Sequence, residues 1–117
     1  MCGIAGIAAF TTSGLRYLPL IEQVTQTLRR RGPDNQSVYR HERMALGHAR
    51  LSVIDTAETA NQPQFDQSGE YAIVFNGEIF NYQQLKQQYF PDKKDWQSQS
   101  DTEVLLHLYI QLKEQCL

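Results

Sequence analysis

The chain opens on MCGIAGIAAF, ten residues with no charge and nothing polar beyond one thiol. The run is too short to cross a bilayer, which takes roughly 20 apolar residues, and it lacks the basic leader and the following cleavage site of a secretory signal. It reads instead as a buried strand from Cys2 to Phe10, closed by the polar TTSG turn. A strand buried at the start of a chain needs other elements to pair with it and cover it. With 117 residues, 41% of them hydrophobic and a net charge of −2, the sequence supplies these as one globular domain. Apart from the short LRRRG there is no run of like charge, which argues against a nucleic-acid or anionic-membrane surface. The two cysteines, Cys2 and Cys116, lie at opposite ends of the chain without framework spacing. A reducing, cytoplasmic setting follows as the expectation.

Further along, Pro19 suits a first helical position, and Leu20, Val24 and Leu28 recur at four-residue spacing. Arg29, Arg30 and Arg31 then fall at the helix C-terminus, where cations offset its dipole, and Gly32 and Pro33 stop it. From Ser37 to Ile54 the pattern is that of strands, SVYR and then MALGHARLSVID. FDQSGEY is a turn candidate leading into YAIVFNGEI, read as a buried strand ending at Asn76 and Gly77. NYQQLKQQYF reads as a short helix capped by Asn81. Ser100 and Glu103 form a capping-box pattern ahead of an amphipathic helix through Val104, Leu105, Leu108 and Leu112 to the chain end.

The position of Cys2 has a chemical consequence. Aminopeptidases remove Met1 when the next side chain is small, and one residue then holds both a thiol and a free α-amine. Such an amine ordinarily titrates at about 7.7–8.0 and a thiol at about 8.5, so the amine can take the thiol proton near neutral pH. Nucleophile and base are supplied by a single position, and the small GIAG beside it admits a substrate. Asn-Gly at 76–77 is a strong hairpin signal, yet a glycine that turns the backbone also leaves its N–H open to a ligand. Arg50 by itself reads as a surface strand charge, although a guanidinium is also suited to bidentate bonding. Asp101 reads either as a favourable helix N-terminal acid or as a partner for a cation. RRRGPD is read as a helix stop and ordered turn with no catalytic step. His41, His48 and His107 show no metal-ligand spacing, so no metal is expected.

Taken in order, MCGIAG, RRRGPD, HARLSVID, NQP, VFNGEIFNY and SDTEVLLHLY resemble the class II glutamine amidotransferase domain, an N-terminal nucleophile hydrolase, in the branch that includes glutamine-dependent asparagine synthetase. The matches run from Cys2 to Tyr109. The resemblance implies an α+β fold, a four-layer α/β/β/α sandwich with mainly antiparallel sheets, of which residues 1–117 are the N-terminal part. It implies that Cys2 attacks the glutamine carboxamide, that ammonia leaves, and that water hydrolyses a γ-glutamyl thioester. Asn76 and Gly77 correspond to the oxyanion hole, Arg50 to the ligand of the α-carboxylate, and Asp101, assisted by Glu78, to the ligand of the ammonium. Backbone groups near Val53 are lesser candidates. No cofactor is implied for this domain. ATP and magnesium would belong to a synthetase domain, for which no phosphate-binding glycine loop is present. The expected partners are glutamine, an ammonia-accepting synthetase domain or subunit, and a second copy in a homodimer. Two other readings stay open: a catalytically idle fragment or interaction module that retains the pocket, and the amidotransferase half of a surface-polysaccharide or amino-sugar enzyme.

Overall fold

The computed structural model of the chain describes residues 2–52 and 58–117. Among them are β1 (Gly3–Ala8), α1 (Ile21–Thr27), β2 (Asn35–His41), β3 (Met44–Arg50), β4 (Gln64–Phe65), β5 (Ala72–Ile73), α2 (Tyr82–Tyr89) and α3 (Asp101–Leu112). The fold is α+β, and among the described residues there are two antiparallel sheets, one in the order β1-β3-β2 and the other the β4-β5 pair. None of the described helices is long and apolar enough to cross a membrane.

The alternation of β3 explains how the larger sheet is used. Successive strand residues face opposite ways, so MALGHAR divides into a small face, Ala45, Gly47 and Ala49, and a larger one, Leu46, His48 and Arg50. The small face lets α1 approach closely: Ile21 is fully buried, Thr25 is 2% exposed, and a Cβ on Gly47 would overlap the Thr25 side chain. Leu18, Ala9 and Ala45 complete this core with Ile21. Burying a residue such as Ile21 is worth about 1.5–3 kcal/mol. The other face of β3 carries His48 and Arg50 toward the site described below.

The predicted helix is found, but in a different phase. Pro19 lies inside a 3-10 helix, Thr12–Leu20, and α1 begins only at Ile21. Leu18, Ile21 and Thr25 face the sheet, whereas Leu20 and Val24 remain about 40% exposed. The polar Thr25 can take a core position because its hydroxyl, which lies against Gly47, is satisfied by donating to Ile21 O at 2.7 Å. The first strand is shorter than Cys2–Phe10, and Phe10 is 92% exposed. Instead of a simple turn, TTSG enters the 3-10 helix, with Thr11 Oγ1 accepting the Gly14 N–H at 3.2 Å.

YAIVFNGEI is regular strand only at Ala72–Ile73. Beyond it, side chains claim the backbone donors that a ladder would use: Gln62 Oε1 accepts the Phe75 N–H at 2.5 Å, and Asp101 Oδ2 accepts the Ile79 N–H at 2.9 Å. Asn76-Gly77 is therefore not a two-residue hairpin turn. Among the described residues positive φ occurs at Glu42, Gly69 and Lys113. Glu42 turns the β2-β3 hairpin, and Gly69 turns the predicted FDQSGEY loop between β4 and β5.

Asn81 precedes α2 without a side-chain cap bond. At α3, Ser100 caps as expected by accepting the Glu103 N–H at 3.3 Å, but Glu103 reaches past the cap residue. Its carboxylate accepts from Gln97 N at 2.9 Å, Ser98 N at 2.7 Å and Ser98 Oγ at 2.7 Å. Val104 and Leu108 are buried as predicted, but Leu105 and Leu112 are only half-buried while Leu106 is buried, and the helix gives way at Lys113 to a final 3-10 turn.

Candidate active site

A cavity of about 330 Å³ opens between the large-residue face of β3, the 75–78 segment and the N-terminus of α3. Cys2, Arg50, Asn76, Gly77, Glu78 and Asp101 all line it, although they come from four separate stretches of sequence. Val53 lies outside the described residues.

Cys2 precedes β1 and is held across the sheet by the end of β3. Its Sγ accepts the Leu51 N–H at 3.3 Å and lies 3.6 Å from Leu51 O. The backbone of Cys2 is fixed by RRRGPD, where Arg31 Nε donates to Cys2 O at 3.2 Å. In the same loop, Asp34 N donates to Arg50 O at 3.0 Å and Asp34 Oδ2 accepts the Ser52 N–H at 2.7 Å. The motif read as a helix stop therefore also braces both sides of the thiol. Its signal was present in the sequence, but sequence separation concealed the contact.

Arg50 is 6% exposed, and its guanidinium donates to Asn61 Oδ1 at 2.5 Å. Asp101, 9% exposed, is the first residue of α3 and holds the Ile79 N–H. It thus combines its predicted helix-terminal position with a tie to the loop that sequence reasoning missed. The cavity presents a buried guanidinium at one place and carboxylates, Asp101 and the exposed Glu78, at another. A zwitterion suits such a wall, since each of its charges meets an opposite one at little desolvation cost. Among the described residues no group of three or more His, Cys, Asp and Glu could hold a metal ion.

Two ionisable residues around the site are strongly perturbed. Glu103 is brought down to about 2: burial alone would raise it, but His107 and the donors of Gln97 and Ser98 outweigh that effect. His48 lines the cavity at 1% exposure, and neither of its ring nitrogens has a hydrogen-bond partner. Burial first, and then the Arg50 charge, lower it from 6.5 to about 4. Because the folded protein holds His48 neutral while the unfolded chain takes up a proton, stability should fall as pH drops from 6.5 to 4. The loss attributable to this residue is on the order of 3 kcal/mol. Urea titrations at pH 7, 5.5 and 4.5 will show it, and a His48→Gln variant should be markedly flatter over that range. Parallel curves for the two proteins would contradict the assignment.

The family model of the glutamine amidotransferase domain matches residues 1–117, the whole chain. Glutamine-hydrolyzing asparagine synthetase 3 of Bacillus subtilis is 35% identical over 119 residues, covering 100% of this chain and 19% of its own length. Glutamine-hydrolyzing asparagine synthetase B of Escherichia coli is 35% identical over 109 residues, covering 93% of this chain and 19% of its own. Glutamine-hydrolyzing asparagine synthetase of Zea mays is 33% identical over 115 residues, with 98% and 19% covered. The chain spans about a fifth of the length of these curated relatives. By the family match along its full extent, the chain belongs to the glutamine amidotransferase domain family.

Proposed function

We propose that this domain hydrolyses glutamine to glutamate and ammonia, and that the ammonia serves an ATP-dependent, asparagine synthetase-type amide-forming reaction on an accepting domain or subunit. One observation carries the reading: a thiol at the second residue shares a single cavity with a buried guanidinium and a buried carboxylate from distant parts of the chain. With Met1 removed, the Cys2 amine accepts the thiol proton as sulfur adds to the carboxamide carbon. The negative charge on the former carbonyl oxygen falls to the Asn76 side-chain amide and the Gly77 N–H; a donor placed in this way typically accounts for about 3 kcal/mol of barrier lowering. The protonated amine returns its proton to the departing nitrogen, and ammonia leaves a γ-glutamyl thioester. Water then adds to the acyl carbon with the same amine as base, releasing glutamate and the thiol.

Arg50 takes the α-carboxylate, while Asp101 and Glu78 take the α-ammonium. We assign this domain no cofactor, and its layers the α/β/β/α order of N-terminal nucleophile hydrolases. The test is covalent: a glutamine analogue with a chloromethyl ketone in place of the side-chain carboxamide should alkylate the chain once, at Cys2, with loss of chloride, as read by intact mass and peptide mapping. Excess glutamine should protect. A chain with a free Cys2 amine that acquires no adduct would overturn the proposal.

A further inference from the structure

Gln62 belongs to the short NQP segment, to which the mechanism above gives no part. It is 8% exposed in the wall of the cavity, and every polar group of its side chain is engaged. The Phe75 N–H can only donate, so the amide oxygen must face it, and it does so at 2.5 Å. Nε2 is thereby turned to Thr102 Oγ1, which accepts at 3.2 Å. The Gln62 carbonyl accepts the Ser37 hydroxyl from β2. A single residue thus joins the three-stranded sheet, the loop entering Asn76-Gly77, and the first turn of α3.

The loop is fastened on its far side as well, where Asp101 Oδ2 holds the Ile79 N–H at 2.9 Å. Residues 75–79 are consequently anchored to the N-terminus of α3 at both ends, directly through Asp101 and indirectly through Gln62. Between the anchors, the Phe75 ring packs so closely on Gly77 that a Cβ there would sit 2.5 Å from Phe75 Cζ. The Phe75 ring thus lies against the Gly77 backbone, while the Phe75 N–H is held by Gln62.

We infer that Gln62 is a positioning residue that orients the Asn76 and Gly77 donors toward the reacting carbonyl oxygen by holding the Phe75 N–H and Thr102 together. The inference rests on the proposed glutaminase reading and deepens it. Donors that meet charge formed only in the transition state act on turnover more than on substrate binding. The hydrogen bonds of the Gln62 side chain run to Phe75 and Thr102, so its loss should register chiefly as kcat.

The experiment uses the 117-residue chain with a processed N-terminus. Gln62→Met keeps length and apolar volume but removes both amide bonds. Its kcat for glutamine hydrolysis should fall roughly 10- to 100-fold, with KM changed less than about 2-fold. Gln62→Glu still accepts the Phe75 N–H and can accept the Thr102 hydroxyl through its other oxygen, so its kcat should recover to within about 5-fold of the unsubstituted chain. Should the methionine variant fail to fold, Thr102→Val removes the Nε2 acceptor, together with a long 3.5 Å hydroxyl contact to Asp101 Oδ1, and should lower kcat about 3- to 10-fold with a smaller change in KM. An unchanged kcat in Gln62→Met or Thr102→Val, a loss confined to KM, or equal losses in the methionine and glutamate variants would overturn the inference. An unsubstituted chain that neither turns over glutamine nor is alkylated at Cys2 would overturn the parent reading, and this inference with it.

Discussion

Alanine at position 2 should leave no measurable glutamine hydrolysis, a loss of at least about 10³-fold, because removing a covalent nucleophile disables every later step of the sequence it starts. Among the described residues no other thiol lines the cavity. Cys116, the other thiol, is not among the cavity-lining residues, and the hydroxyls of Ser100 and Thr102 are engaged in the cap of α3 and its contacts with Gln62 and Gln64. The substitution should be structurally mild, since Cys2 is only half-buried and, among the described residues, its sulfur hydrogen-bonds with the Leu51 backbone. Glutamine binding should therefore survive while ammonia release disappears, a separation that calorimetry and a coupled glutamate assay can read on the same sample. A chain that keeps Met1 makes the companion case. Its Cys2 nitrogen is tied up in a peptide bond and cannot serve as base, so turnover should fall by about 10²- to 10⁴-fold with the thiol intact. Ammonia release by the alanine variant within tenfold of the unsubstituted chain would sink the assignment of Cys2.

Residues whose role is declared by their own chemistry were legible in the sequence. Cys2 behind a removable methionine and Ser100 as a helix cap follow from what those side chains can do, whereas Arg50 and Asp101 entered as site residues through the family resemblance. The structure brings Cys2, Arg50 and Asp101 to one cavity and uses Ser100 as the cap. The illegible features were those in which a side chain serves a distant backbone. Arg31 looked like a charge at a helix end, yet it reaches Cys2 O across 29 positions of sequence. Gln62 had no visible partner, because Phe75 and Thr102 come near it only after the chain folds. The phase of α1 was missed for a related reason. A hydrophobicity pattern ranks Val24 above Thr25, but the residue against Gly47 is Thr25, whose hydroxyl can be buried there because it bonds to its own helix. The strand drawn through YAIVFNGEI failed where side-chain acceptors replaced the sheet ladder. That same replacement leaves the Asn76-Gly77 segment free to face the cavity.

Gly32 should be the position least tolerant of a methyl group. A Cβ added there would overlap the carbonyl carbon and oxygen of Ala49 and the amide nitrogen of Arg50, all of them backbone atoms of the central strand. Backbone in the middle of a three-stranded sheet cannot yield as a flexible side chain can, so Gly32→Ala belongs at the upper end of the overpacking range, about 3 kcal/mol or more. That should lower the urea midpoint by at least about 1 M. Gly6→Ala is the matched control: the nearest atoms to its added methyl lie at 3.9 Å, an ordinary contact, and its midpoint should shift by a few tenths of a molar at most. The consequence extends beyond stability because Gly32 lies between Arg31, which holds Cys2 O, and Asp34, which holds the Ser52 N–H and pairs with Arg50 O. Pushing this loop off the strand loosens the thiol and the guanidinium together. Under conditions where the variant remains folded, alkylation of Cys2 by the electrophilic glutamine analogue should slow by at least about tenfold, since small displacements of a reacting group carry costs of that order. A Gly32→Ala chain as stable and as reactive as the Gly6→Ala control would show that the loop does not brace the site.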